Sequence, residues 1–143
     1  MRIADVLRSK GSLVATVAPE SSVTDLLAGL AEHNVGAMVV LGAEEKVVGI
    51  VSERDVVRRL HDRGPELLSR PVSEIMTTLV ATCTPEDSVD DLSAVMTERR
   101  IRHVPVVVDG RLAGIVSIGD VVKTRLNELE ERHDQLQAYI SQG

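Results

Sequence analysis

The sequence contains no phenylalanine, no tryptophan and one tyrosine, so aromatic residues make up 1% of its 143 positions. A core must then be built from Val, Leu, Ile, Ala and Met. Stacking on aromatic platforms, the usual grip on single-stranded nucleic acid, is closed off. The lone cysteine, Cys83, excludes an intrachain disulfide framework. With no partner near it in sequence, Cys83 reads as a small buried apolar residue. Positive charge is the minority sign: 16 Lys and Arg against 22 Asp and Glu give a formal net charge of −6. That argues against nucleic acid or an anionic membrane as the main partner, while leaving room for a local basic pocket for one small anion. No apolar run approaches the ~18 to 20 residues of a membrane helix. The opening MRIADVLRSKGSL lacks the apolar core of a signal peptide, so a soluble, cytoplasmic protein is expected. The P-loop, His-Glu-x-x-His, Cys-x-x-Cys and Gly-x-Ser-x-Gly patterns are all missing, and four scattered histidines have no metal-ligand spacing. Neither catalysis nor a metal is expected.

What the chain does contain is repetition. GIVSERDVVRRL (Gly49 to Leu60) returns as GIVSIGDVVKTR (Gly114 to Arg125). TVAPESSVTDLLAGL (Thr16 to Leu30) aligns with TCTPEDSVDDLSAVM (Thr82 to Met96), and NVGAMVV (Asn34 to Val40) with RIRHVPV (Arg100 to Val106). Upstream, Ile3 to Leu7 resembles Val72 to Met76, and the first copy has one extra residue in the loop around Gly42 to Lys46. The period exceeds that of solenoids and there are only two copies, so a compact pseudo-two-fold pair is expected.

Each unit has a readable order. A short apolar stretch (Leu13 to Val17; Leu79 to Cys83) ends at a Pro-Glu turn. Val23, Leu26, Leu27 and Leu30, then Val89, Leu92 and Met96, mark one helical face. AMVVL and VPVVV read as buried strands, Asp109-Gly110 as a hairpin turn, and KVVGIVS and RLAGIVS as second strands. A helix then starts at Ser52 or Ser117. The unit is β-α-β-β-α. About 60 residues without aromatics bury little alone, so two sheets packed together are expected. The boundaries read as domain 1 over 1–63, a linker over 64–71, domain 2 over 72–126 and a helical extension over 127–143.

The β-α-β-β-α order, the doubled Gly-x-x-Ser-x-x-Asp and the x-V-P-V-V strand together resemble a tandem pair of CBS (cystathionine-β-synthase-type) domains. The resemblance covers the chain from about Ile3 to about Leu126. It implies an α/β (α+β) fold of two repeats about a pseudo-two-fold axis, with a long C-terminal helix. It also implies a stand-alone regulatory module whose inter-repeat clefts take an adenosyl ligand: AMP, ADP, ATP, NAD or S-adenosylmethionine. Homodimers and a regulated partner protein belong to the same expectation. The other reading is a purely structural dimerisation module with no ligand.

The Ser-x-x-Asp words have two readings of their own. Ser52 with Asp55, and Ser117 with Asp120, form N-terminal helix caps. The same carboxylates are placed to accept from a ribose diol, and the Ser hydroxyl with the free helix N–H groups can address a phosphate or sugar oxygen. Between Ser and Asp, copy one carries Arg54, which can reach a phosphate or pair in solvent. Copy two carries Gly119, which permits close backbone approach. Arg102 and His103 enter a strand on opposite faces, so at least one faces the cleft and can neutralise phosphate. An adenine lying against Val104 and Pro105 fits the family. Thr16 and Thr82, at equivalent strand ends, are added as adenine contacts on the resemblance. The two clefts are expected to be non-equivalent. Beyond the repeats, Val122, Leu126, Leu129, His133, Leu136 and Ile140 step by four and three, a heptad seam that suggests a dimer contact.

Overall fold

The computed structural model describes residues 1–11, 13–78 and 81–142. The elements in chain order are α1 (Ile3–Lys10), β1 (Thr16–Val17), α2 (Val23–His33), β2 (Ala37–Leu41), β3 (Val47–Ser52), α3 (Glu53–Arg63), α4 (Val89–Arg99), β4 (His103–Val108), β5 (Arg111–Ser117) and α5 (Ile118–Gln142). The mixed α/β pair of repeats with a long last helix is therefore as expected. In copy one, β1 runs parallel to β2 and β2 antiparallel to β3; in copy two, β4 and β5 are antiparallel.

The pseudo-symmetry reaches single hydrogen bonds. Ser22 and Ser88 cap α2 and α4, each accepting from the N–H three residues on (Asp25 at 3.1 Å, Asp91 at 3.0 Å). Both helices close on a left-handed residue, Asn34 (φ 52°) and Arg100 (φ 56°). The hairpin of copy two turns on Asp109 and Gly110, both at positive φ, as a two-residue turn requires. Copy one accommodates its extra residue in a 3-10 turn over Ala43–Glu45.

Among the described residues, the first strand of copy two is reduced. Leu79 and Val80 lie outside the described residues, and the remainder makes one parallel bridge, Cys83 to Val106. Pro105 supplies the reason. In copy one the Val39 N–H donates to the Ala15 carbonyl. Pro105, at the equivalent position, has no N–H to give. Its carbonyl still accepts from Cys83 at 3.0 Å. Cys83 is buried, as read from sequence, and burial, with Asp87 nearby, pushes its thiol up to about 11.

The apolar residues form two cores, and neither is made by one repeat alone. Val89, Leu92, Met96, Val104, Val106 and Val116 of copy two pack with Ile3 and Val6 from the start of the chain. Val23, Leu26, Met38, Val40 and Val51 of copy one pack with Leu67, Val72 and Ile75. The docking bonds match: Ile3 N–H donates to Asp87 O at 2.9 Å, and Val72 N–H to Ser21 O at 2.8 Å. Each lead-in segment thus crosses to the other repeat. The repeated glycines admit the crossing. A Cβ on Gly114 would stand 2.7 Å from Leu7 Cδ2, and one on Gly49 would stand 2.8 Å from Met76 Sδ and from Thr77 O. Between the repeats, Arg70 and Arg63 both hold Glu74; the hydrogen bonds from Arg70 dominate in bringing its carboxyl down to about 2.

Candidate functional site

The end of β3 and the first turn of α3 carry the first Ser-x-x-Asp word. Asp55 Oδ2 accepts from the Ser52 N–H at 2.8 Å and the Ser52 hydroxyl at 3.0 Å, while the Asp55 N–H donates back to Ser52 Oγ at 3.3 Å. The capping reading therefore holds. The same turn forms one wall of a cleft of about 630 Å³. Gly36, Ala37, Ile50, Thr77 and Ala81 also line it, together with Arg100, Ile101, Arg102 and His103 of copy two. The carboxylate of copy one thus meets the basic segment of copy two. The cleft is made by both repeats, because the strand-start residues of copy two lie beside the helix start of copy one.

Four guanidiniums line the cleft: Arg54, Arg58, Arg100 and Arg102. Among the described residues none of them is in a salt bridge. Only Glu53 and Asp55 offset them there, so this cleft is locally positive in a chain of net charge −6. Arg100 stands in the left-handed region with a side chain that gains nothing from it (φ 56°, ψ 40°), where copy one has Asn34.

His103 is half-buried on β4, paired across the ladder with Ser117. Burial first, then the Lys10 ammonium, lowers it below the ordinary imidazole value, with Asp120 and Glu53 pulling the other way and Arg102 adding to the lowering. It lies within electrostatic reach of both Ser-x-x-Asp words.

The second word is engaged differently. Asp120 Oδ2 accepts from the Ser117 N–H at 2.9 Å, and the Asp120 N–H donates to Ser117 Oγ at 3.1 Å. The same oxygen accepts from Lys10 Nζ at 2.6 Å, and Lys10 also donates to Ile115 O at 2.8 Å. Burial alone would raise the Asp120 carboxyl. Lys10 and Ser117 outweigh it and hold the group below its ordinary value.

Of the residues singled out in the sequence, Ser52, Arg54, Asp55, Arg102 and His103 come together in the cleft. Ser117, Gly119 and Asp120 sit at the start of α5. Val104 is 1% exposed and turned into the core of its repeat, and Pro105 is buried beside it. Thr16 and Thr82 are exposed and do not line the cleft. Sequence reading missed Arg58, Thr77 and Lys10. Arg58 was accessible, since it stands one helical turn beyond Arg54. Lys10 was not, because its partner is 110 positions away.

Among the described residues no His, Cys, Asp and Glu cluster could hold a metal, and no helix is long and apolar enough to cross a membrane. The CBS domain family matches the chain twice, over residues 11–62 and 72–127. A mitochondrial CBS domain-containing protein of Arabidopsis thaliana is 38% identical over 99% of this chain and 72% of its own length. The crystal structure of a CBS-domain containing protein from Agrobacterium tumefaciens superposes with a TM-score of 0.84 at 44% identity, covering 87% of this chain and 99% of that one. The CBS domain pair of protein MJ0100, solved with 5-methylthioadenosine and S-adenosyl-L-methionine, superposes with a TM-score of 0.80 at 26% identity, covering 90% and 98%.

Proposed function

The chain belongs to the CBS-domain family, and from that membership we propose that it is a regulatory module that binds a phosphate-bearing adenosyl ligand in the Asp55 cleft and passes its occupancy to a partner protein. The observation that carries the reading is the set of four guanidiniums, none in a salt bridge among the described residues, beside a helix-capping carboxylate. Guanidiniums gathered in one cleft repel one another, and an anion relieves that repulsion. Each charge-assisted bond to phosphate contributes about 1.5 to 3 kcal/mol.

In this reading Asp55 keeps its cap through Oδ2 and offers Oδ1 to the ribose diol. Ile50, Ala37 and Ile101 give the base an aliphatic setting, and Arg54, Arg58, Arg100 and Arg102 take the phosphates. Charge ranks the ligands. MJ0100 is described with two ligands that carry no phosphate, whereas a net positive cleft favours AMP, ADP, ATP or NAD over the sulfonium of S-adenosylmethionine. Signalling follows from the cleft's two walls: a ligand held by both repeats shifts their relative packing only to the extent that it binds one arrangement better. The work takes place as a homodimer through α5, in the cytoplasm.

The test is thermal shift with AMP, ADP, ATP, NAD and S-adenosylmethionine on wild type and Asp55→Ala, each against its own ligand-free protein. A ligand at a hundred times its Kd adds about 2.7 kcal/mol, or roughly 5 to 10 °C at this size. Asp55→Ala should lose that shift. Loss of the cap alone lowers the baseline by about 0.5 to 2 kcal/mol and leaves any shift intact. If no phosphorylated ligand moves the wild type, the structural-module reading replaces this one.

A further inference from the structure

The two Ser-x-x-Asp words are equal in sequence and unequal in company. The difference starts at one carbonyl. In copy one the Ile50 carbonyl accepts from the Thr77 backbone N–H at 2.9 Å, and the Ile50 N–H donates to Thr77 O at 3.0 Å. The crossing chain is extended there and supplies its own backbone. In copy two the equivalent carbonyl, Ile115, faces α1, which is still helical at that point. A helix spends its N–H groups on itself, so no backbone donor is offered. Lys10, in the last turn of α1, fills the role with its side chain at 2.8 Å and places the same ammonium 2.6 Å from Asp120 Oδ2.

The placement is built in. Leu7 lies against Gly114, where any Cβ would come within 2.7 Å of it, so α1 lies on β5 at a distance only glycine allows. One helical turn of eight-residue α1 then carries Lys10 to the start of α5. The ammonium and carboxylate are both mostly withdrawn from water, at 30% and 21% side-chain exposure. Among the described residues no cation is paired with Asp55. The position that corresponds to Lys10 in the other lead-in is Leu79, which lies outside the described residues.

We infer that Lys10 is the specificity-determining residue of the pair: it holds Asp120 as a built-in counter-ion and so withdraws the second Ser-x-x-Asp word as a ribose acceptor. An incoming ribose diol meets at Asp120 a carboxylate already neutralised by a charged donor on Oδ2, whereas the Asp55 carboxylate is held only by Ser52. The inference rests on the nucleoside reading of the Ser-x-x-Asp words but stands apart from whether the first cleft is filled.

The experiment is isothermal titration with AMP and with adenosine on the full chain, for wild type, Lys10→Met, Lys10→Arg, Asp55→Ala and the double variant Lys10→Met/Asp120→Ala. Wild type and Lys10→Arg should bind one equivalent per chain, lost in Asp55→Ala. Lys10→Met should bind two, the second lost in the double variant. A ligand-free measurement accompanies it: the Asp120 carboxyl, followed by NMR titration, should rise in Lys10→Met. A wild-type equivalent that depends on Asp120 overturns the inference, and so does a Lys10→Met protein that gains nothing. If wild type binds neither probe, the reading of the Asp55 cleft fails, while the Lys10 inference is still decided by whether Lys10→Met gains an equivalent that the double variant loses.

Discussion

Arg100 shows what a single residue reveals about the cleft. It closes α4 in the left-handed region, a conformation that costs an ordinary side chain roughly 1 to 2 kcal/mol. Copy one solves the same geometry with Asn34, a residue that tolerates it. Backbone strain that persists beside a cleft points to a use for the side chain. We expect Arg100→Asn to raise the urea midpoint with unchanged slope, a gain of about 0.5 to 1 kcal/mol, and to weaken AMP binding roughly tenfold. Raised stability with undiminished affinity would remove Arg100 from the phosphate site. At this scale the sequence was legible where chemistry is local. The caps at Ser52 and Ser117 follow from three-residue spacing, and the crowd of Arg102 and His103 stood out in an acidic chain. Their second neighbour was not legible: they stay beside Ser117 in their own copy, yet they also line the cleft that holds Asp55.

At the scale of elements, periodicity located the strands and helices because both are written in adjacent residues. It could not show that Pro105 would shorten the first strand of copy two, since that depends on a donor facing another segment. Helix α5 was legible in length and seam. From Leu129 to Ser141 every residue is exposed, and Val122, Leu126, Leu129, Leu136 and Ile140 are each 50–69% exposed. A projecting helix of about a dozen residues is marginal in water without a partner. An antiparallel mate would set Glu130 against Glu130 and Arg132 against Arg132; a parallel mate sets Glu130 beside Arg125 of the second copy. Arg125 is already fixed at the base of the helix by Asp90 and Glu128. The expectation is a parallel dimer through this seam. Sedimentation should show a dimer for wild type and a monomer for Leu129→Glu/Leu136→Glu, with the fold of the body kept. A double variant that stays dimeric places the contact elsewhere.

At the scale of the whole molecule, the unit that repeats in sequence is not the unit that folds. Boundaries drawn at 63 and 72 follow the words, but the core under α2 and β2 needs Leu67, Val72 and Ile75, and the core under α4 and β4 needs Ile3 and Val6. Each repeat is a marginal size without aromatic side chains, and each closes its core with the other's lead-in. The cores are thereby coupled: opening one withdraws a segment that the chain needs to hold the other. This predicts one cooperative transition rather than two. Ile3→Ala and Val72→Ala each remove a fully buried side chain, at a cost of about 2 to 5 kcal/mol for the isoleucine and somewhat less for the valine. Although Ile3 belongs to the first repeat by sequence, its loss acts on the second repeat's core. Urea unfolding followed by amide exchange in both cores should show protection falling together in either variant. The fragments 1–63 and 72–143, made separately, should each lack a native dispersed spectrum, the first because Leu67, Val72 and Ile75 are missing and the second because Ile3 and Val6 are. A fragment 1–63 that folds alone, or an Ile3→Ala protein in which only one core loses protection, would show that the crossing segments decorate the repeats and do not join them.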